Sequence, residues 1–246
     1  MAAFEHPSFH YHAEGHAFSG HFTRPLTQQI DALAGVSLPL SGGHGRSHAE
    51  NFSIDQLVSV KKAYSHVSGS QGNDKKYNSH TTVVLEGVNI LDVVTADRIV
   101  ARLTSEHDPD PKQREGHIIA LGTKFENLRI SGCPVEVEFD HELLLKNKTF
   151  AALSKNLAAV KKSGRMAEES NGVILCSLVK SLKADCPGVT VQGHVIDVEH
   201  FGKIYVGEVL AEPGFKRIAM LRLQLGSPHD GLLNTAEASL NGSHWP

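Results

Sequence analysis

Three cysteines in 246 residues, at Cys133, Cys176 and Cys186, are too few and too far apart for a disulfide framework or a cysteine zinc site. The odd count predicts three idle thiols, with a Cys176–Cys186 bridge as the alternative. Tryptophan occurs once, at Trp245, and tyrosine four times. No apolar run approaches the ~18 residues that would span a bilayer. No charge of one sign dominates. The formal charge of -3 gives no basic stripe of the kind that nucleic-acid binding requires. Met1-Ala2-Ala3-Phe4-Glu5-His6 has neither a basic start nor an apolar stretch, so it does not read as a secretory signal. The expectation is therefore a cytoplasmic protein or one exported by a non-classical route. Glycine elbows, phosphate loops and dinucleotide fingerprints are all missing, which leaves no reaction motif.

What is abundant is histidine, sixteen in all, together with alternation of apolar and polar residues. Leu85-Glu86-Gly87-Val88-Asn89-Ile90 and Phe125-Glu126-Asn127-Leu128-Arg129-Ile130 repeat one short pattern about forty residues apart. Each sets apolar residues at every second position, the mark of a strand with one buried face. Val135, Val137 and Phe139 against Glu136, Glu138 and Asp140 repeat that mark cleanly. The chain reads as mainly β, one antiparallel β-sandwich or barrel-like domain over residues 1–246.

One amphipathic helix is expected at about 149–163. Phe150, Leu153, Leu157 and Val160 lie at helical spacing, Thr149 can cap the start, and Gly164 closes the end. Thr27 to Leu33 reads as a short helical turn, Ser41 to Ser47 as a loop, and Asn234 to Pro246 as a polar tail that docks through Trp245. Residues 1–23 read as one or two strands with a bulge, free to exchange with a neighbour.

Val88 to Asp97 and Gly122 to Val135, with a Thr-Ala-Asp step and a Phe-x-x-Leu-x-Ile-x-Gly-x-Pro-Val step, resemble a pattern in bacterial choice-of-anchor surface proteins. The resemblance covers about a fifth of the chain. It implies a non-catalytic β-sandwich or β-repeat protein displayed or assembled outside the cytoplasm, and it brings no catalytic residues.

His10, His12, Glu14 and His16 are the strongest chemical constellation. On an uninterrupted strand they project from one face about 6.6 Å apart, and imidazoles with a carboxylate suit a transition metal. A cupin-like metal enzyme is the alternative this suggests, although Glu14 follows the histidines too soon for that family. His44 and His48, with Arg46, Ser47 and Glu50, read as a connector able to meet an anion. His141-Glu142 and the stretch from His194 to His200, with Asp197 and Glu199, read as surface groups. The leading expectation is a non-catalytic structural protein that associates with itself by strand addition or tail docking. Clustered N-terminal histidines would weaken that association at pH 5.5. A glycan or small-molecule ligand carried on loops leaves no sequence signature and stays open.

Overall fold

The computed structural model describes residues 9–25, 27–113, 115–162 and 166–244. Most of it is antiparallel strand, in two sheets that pack face to face. In chain order the strands are β1 (Phe9–Phe22), β2 (Gln28–Leu33), β3 (Val36–Ser37), β4 (Gly43–Ile54), β5 (Val58–Gln71) and β6 (Tyr77–Ile90). There follow β7 (Val94–His107), β8 (His117–Ile119), β9 (Lys124–Glu126), β10 (Arg129–Ile130) and β11 (Cys133–Phe139). Two helices come next, α1 (Glu142–Lys146) and α2 (Phe150–Lys162). The chain closes with β12 (Ala167–Ser170), β13 (Val173–Ser177), β14 (Val179–Ala184), β15 (Val189–Gln192) and β16 (Val195–Val198). Then come β17 (Gly202–Glu212), β18 (Phe215–Leu225) and β19 (Gly231–His244).

The ten-stranded sheet runs β12-β13-β17-β18-β19-β1-β2, with β3 beside β1 and the β15–β16 hairpin beside β17. The nine-stranded sheet runs β14-β11-β10-β7-β6-β5-β4, with β8 and β9 beside β7. Among the described residues neither path closes on itself, so the fold is a sandwich. β1 and β19 face β5, β6 and β7 across the core. Gly15 lets the sheets meet, since a Cβ there would stand 2.6 Å from the Val83 methyl. Beside it the Thr81 hydroxyl donates to the Ser239 carbonyl at 3.2 Å, a hydrogen bond from one sheet to the other.

Both sheets are creased. Pairing skips one residue per strand at Gly207, Met220, Ala236 and Ala17 across β17, β18, β19 and β1. The other sheet skips Asn51, Lys61, Gly87 and Asp97 across β4 to β7. Alternate members hold positive φ: Gly207 at 60° and Ala236 at 46°, Asn51 at 52° and Gly87 at 61°. A skipped residue bends its strand and reverses which side chains face inward. The repeat read in the sequence is this crease, with Asn127 (φ 52°) matching Gly87. A third copy stands at Glu50-Asn51-Phe52.

The amphipathic helix forms as expected, its first turn capped by the Thr149 hydroxyl, which accepts from the Ala152 N–H at 3.2 Å. Leu153 and Val160 are its buried face. Other expectations are corrected. Thr27 to Leu33 is not helical, because Gln28–Leu33 pairs with β1 and buries only Ile30. Ser41 to Ser47 is not a loop but runs into β4. The polar tail from Asn234 is β19, an interior strand between β18 and β1. Neither three idle thiols nor a Cys176–Cys186 bridge is present. Cys133 is bonded to Cys186 with their Cα atoms 5.9 Å apart, and Cys176 is buried outside that bond. Within the segment expected to exchange, residues 9–22 pair inside their own chain with β19 and β2. Residues 1–8 and Trp245 lie outside the described residues.

Candidate functional site

β1 puts Phe9, Tyr11, Ala13 and Gly15 into the core, so His10, His12, Glu14 and His16 share the outer face of the ten-stranded sheet, as their spacing predicts. They share a face without converging. His12 Nε2 stands 3.9 Å from Glu14 Oε1, Glu14 accepts from the Ser37 hydroxyl at 3.1 Å, and His16 bonds the Ser19 hydroxyl at 2.9 Å. Among the described residues no three His, Cys, Asp or Glu side chains come close enough to hold a metal ion.

His16 leads instead into a charge network across the crease. Its register partner on β19 is Glu237, whose carboxylate lies 3.5 Å from Arg217 of β18. Burial pushes the His16 imidazole below its usual value, and Glu237 offsets part of that. On the next strand the skipped Gly207 turns Glu208 outward beneath Arg222. The guanidinium grips the carboxylate twice, at 2.6 and 2.9 Å, and lies over the Tyr205 ring at 3.7 Å. His194, 4% exposed, closes the third side at 3.4 Å. Burial raises the Glu208 carboxyl, but the hydrogen bonds from His194 and Arg222 outweigh it and hold the group below its usual range. A pocket of about 240 Å³ opens beside it, floored by Leu175, Leu210 and Ala219.

Arg222 meets both oxygens of the Glu208 carboxylate and His194 meets one of them. Sequence reading placed His194 at the surface beside Asp197 and Glu199, whereas its partner is Glu208 on β17. The available signal was a single charge inside each of two short apolar runs, Glu208 in Val206–Leu210 and Arg222 in Met220–Leu223.

Two further titratable groups are buried between the sheets. Lys216 donates to the carbonyls of Ile118 (3.2 Å) and Lys148, tying β8 and the α1–α2 turn to β18. Burial pushes its ammonium down to about 8. His107 is 1% exposed, and its Nε2 has no hydrogen-bond partner among the described residues. Burial, then His244 and His117, push it down to about 4.

The outer face of the nine-stranded sheet carries four more histidines, His44, His48, His66 and His80. His44, Arg46, His48 and Glu50 project from β4, which ends the sheet and exposes all four. Glu136 and Glu138 are an outward polar face, with Glu138 bonded to Lys180 at 2.6 Å. No helix among the described residues is long and apolar enough to cross a membrane.

No curated protein and no solved structure matches the chain. A family profile described as Domain of unknown function (DUF8256) matches residues 9–166 and 158–212. The chain belongs to that family.

Proposed function

We propose that this member of the DUF8256 family is a non-catalytic structural β-sandwich that associates with itself through the free edge of β4. The observation that carries the reading is the inequality of the sheet ends. β2, β12 and β14 offer edges of 6, 4 and 6 residues, and the Cys133–Cys186 bond anchors the chain just past β14. β4 offers 12 residues, Gly43–Ile54, with neither proline nor lysine among them. Its inner residues Gly45, Ser47 and Ala49 are only half-buried, so a second strand laid alongside would finish covering the sandwich.

Antiparallel pairing of β4 with its copy about a two-fold axis at His48 suits the charges. Arg46 then faces Glu50 of the second copy twice, Ser47 faces Ala49, and His48 faces itself. Opposite charges across a strand pair favour this register and like charges oppose it. Protonating both copies of His48 sets like charges opposite each other and therefore weakens the pair.

Light scattering on a sizing column tests this. At tens of micromolar and pH 8 the mass is twice that of one chain, Ser47→Lys gives one chain, and wild type at pH 5.5 moves toward one chain. His48→Gln removes that pH response. A single-chain mass for wild type at pH 8, or an unchanged dimer in Ser47→Lys, contradicts the proposal.

A further inference from the structure

The outer face of the nine-stranded sheet is built in rows, one residue per strand. The row beside the crease is Glu50, Lys62, Glu86, Arg98 and Glu126, alternating in sign from β4 to β9. Arg98 reaches Glu86 at 3.6 Å, and Lys124 reaches Glu126 at 2.5 Å. At the far margin Glu106 is bonded to Lys76 at 2.8 Å, with His117 its register partner on β8.

Between these margins the rows contain no carboxylate. Arg46 of β4 lies across from His66 of β5, which lies across from Thr82 of β6 and then Arg102 of β7. One row out, His44, Ser68, His80 and Thr104 follow in the same order. On the crease side stand His48 and Tyr64, beside Val84 and Val100. Arg46 and Arg102 are exposed and make no ion pair among the described residues. The His66 and His80 rings lie 6.5 Å apart. His80 bonds the hydroxyls of Thr82 and Thr104 at 2.6 and 3.1 Å.

We propose that this face binds an acidic polysaccharide, and that acid strengthens the binding by charging His44, His48, His66 and His80 around the fixed charges of Arg46 and Arg102. Charge complementarity selects a polyanion. Sites repeat at about 4.8 Å between strands and about 6.6 Å along them, a flat grid for an extended chain of charged rings. The half-buried hydroxyls of Ser68 and Thr104 add partners for sugar oxygens. A single exposed ring, Tyr64 at 37%, is too little for single-stranded nucleic acid, which stacks successive bases on aromatic side chains.

Burial, then Arg102 and His66, hold His80 below its usual value, so it takes up its proton only in stronger acid than an ordinary imidazole. The margin carboxylates Glu50, Glu86, Glu106 and Glu126 all face a lysine or arginine, so they do not neutralise the face between them. The face is complete within one chain, so binding does not rest on pairing through β4.

The test is titration of the full chain with heparin at pH 5.5 and pH 7.5 in equal salt. Binding is expected to be roughly tenfold or more tighter at pH 5.5, since several histidines gain charge against one polyanion. Arg46→Gln with Arg102→Gln weakens it at both values. His44→Gln with His66→Gln weakens it only in acid, and His10→Gln with His12→Gln on the opposite face changes nothing. Binding that is equal at the two pH values, or unaltered by the His44 and His66 changes, overturns the proposal. Oligothymidylate bound as tightly as heparin overturns the choice of a polysaccharide.

Discussion

Glu208 is 6% exposed, and its charge is tolerated there because Arg222 meets it with two hydrogen bonds and His194 with a third. Removing one partner of such a pair strands the other, at a cost of about 3–5 kcal/mol. Arg222→Ala is therefore expected to lose that much stability in urea unfolding. Adding Glu208→Gln to it recovers a large part, because no unpaired charge remains. Arg222→Lys falls between, keeping the charge but not the planar fork or the stacking on Tyr205. His107 sets the acid response of the core. Its folded value of about 4 lies below the usual 6.5, so the unfolded chain takes up the proton first. Stability is full above about pH 6.5 and drains as pH falls toward about 4, by about 3 kcal/mol at the limit. His107→Phe, placed among Phe9 and Tyr77, is expected to flatten the unfolding free energy over that window. An unchanged slope would assign the acid response elsewhere.

At the scale of elements, legibility followed the phase of alternation. β1 keeps one phase from Phe9 to Ala17, so its buried and outward faces were readable, and so was the shared face of His10, His12, Glu14 and His16. Convergence on a metal was not readable. Side chains two apart on a strand stand about 6.6 Å from each other, and only packing decides whether they turn together. β19 hid because Ala236 breaks its phase: Leu233 and Thr235 face inward before it, Ala238 and Leu240 after it. Apart from Leu233 and Leu240 the buried residues are small or hydroxylated, so the strand resembled a tail. The Cys133–Cys186 bond was hidden for another reason, since it spans 53 residues and depends on β11 lying beside β14. A closed loop of that length constrains the unfolded chain by about 4 kcal/mol in the chain-entropy account. Thermal unfolding of Cys133→Ser with Cys186→Ser is expected to show a clear drop in Tm. The same drop should follow reduction of wild type, while Cys186→Ser alone should match the double variant.

At the scale of the whole molecule, two creased sheets close one core and leave two unlike outer faces. One carries the matched charges of Glu208, Arg222, Arg217 and Glu237. The other carries histidine and arginine without carboxylates between its margins, and it ends on β4. The proposed self-association rests on that strand, so the most direct measurement is hydrogen exchange of the β4 amides as the protein is diluted. Half of the backbone N–H groups of a terminal strand point away from its neighbour and exchange readily unless another strand covers them. At tens of micromolar and pH 8, slow exchange is expected along residues 43–54 on that side, lost on dilution and lost in Ser47→Lys, with β5 and β6 unchanged. Exchange in β4 that stays fast at every concentration would contradict the account.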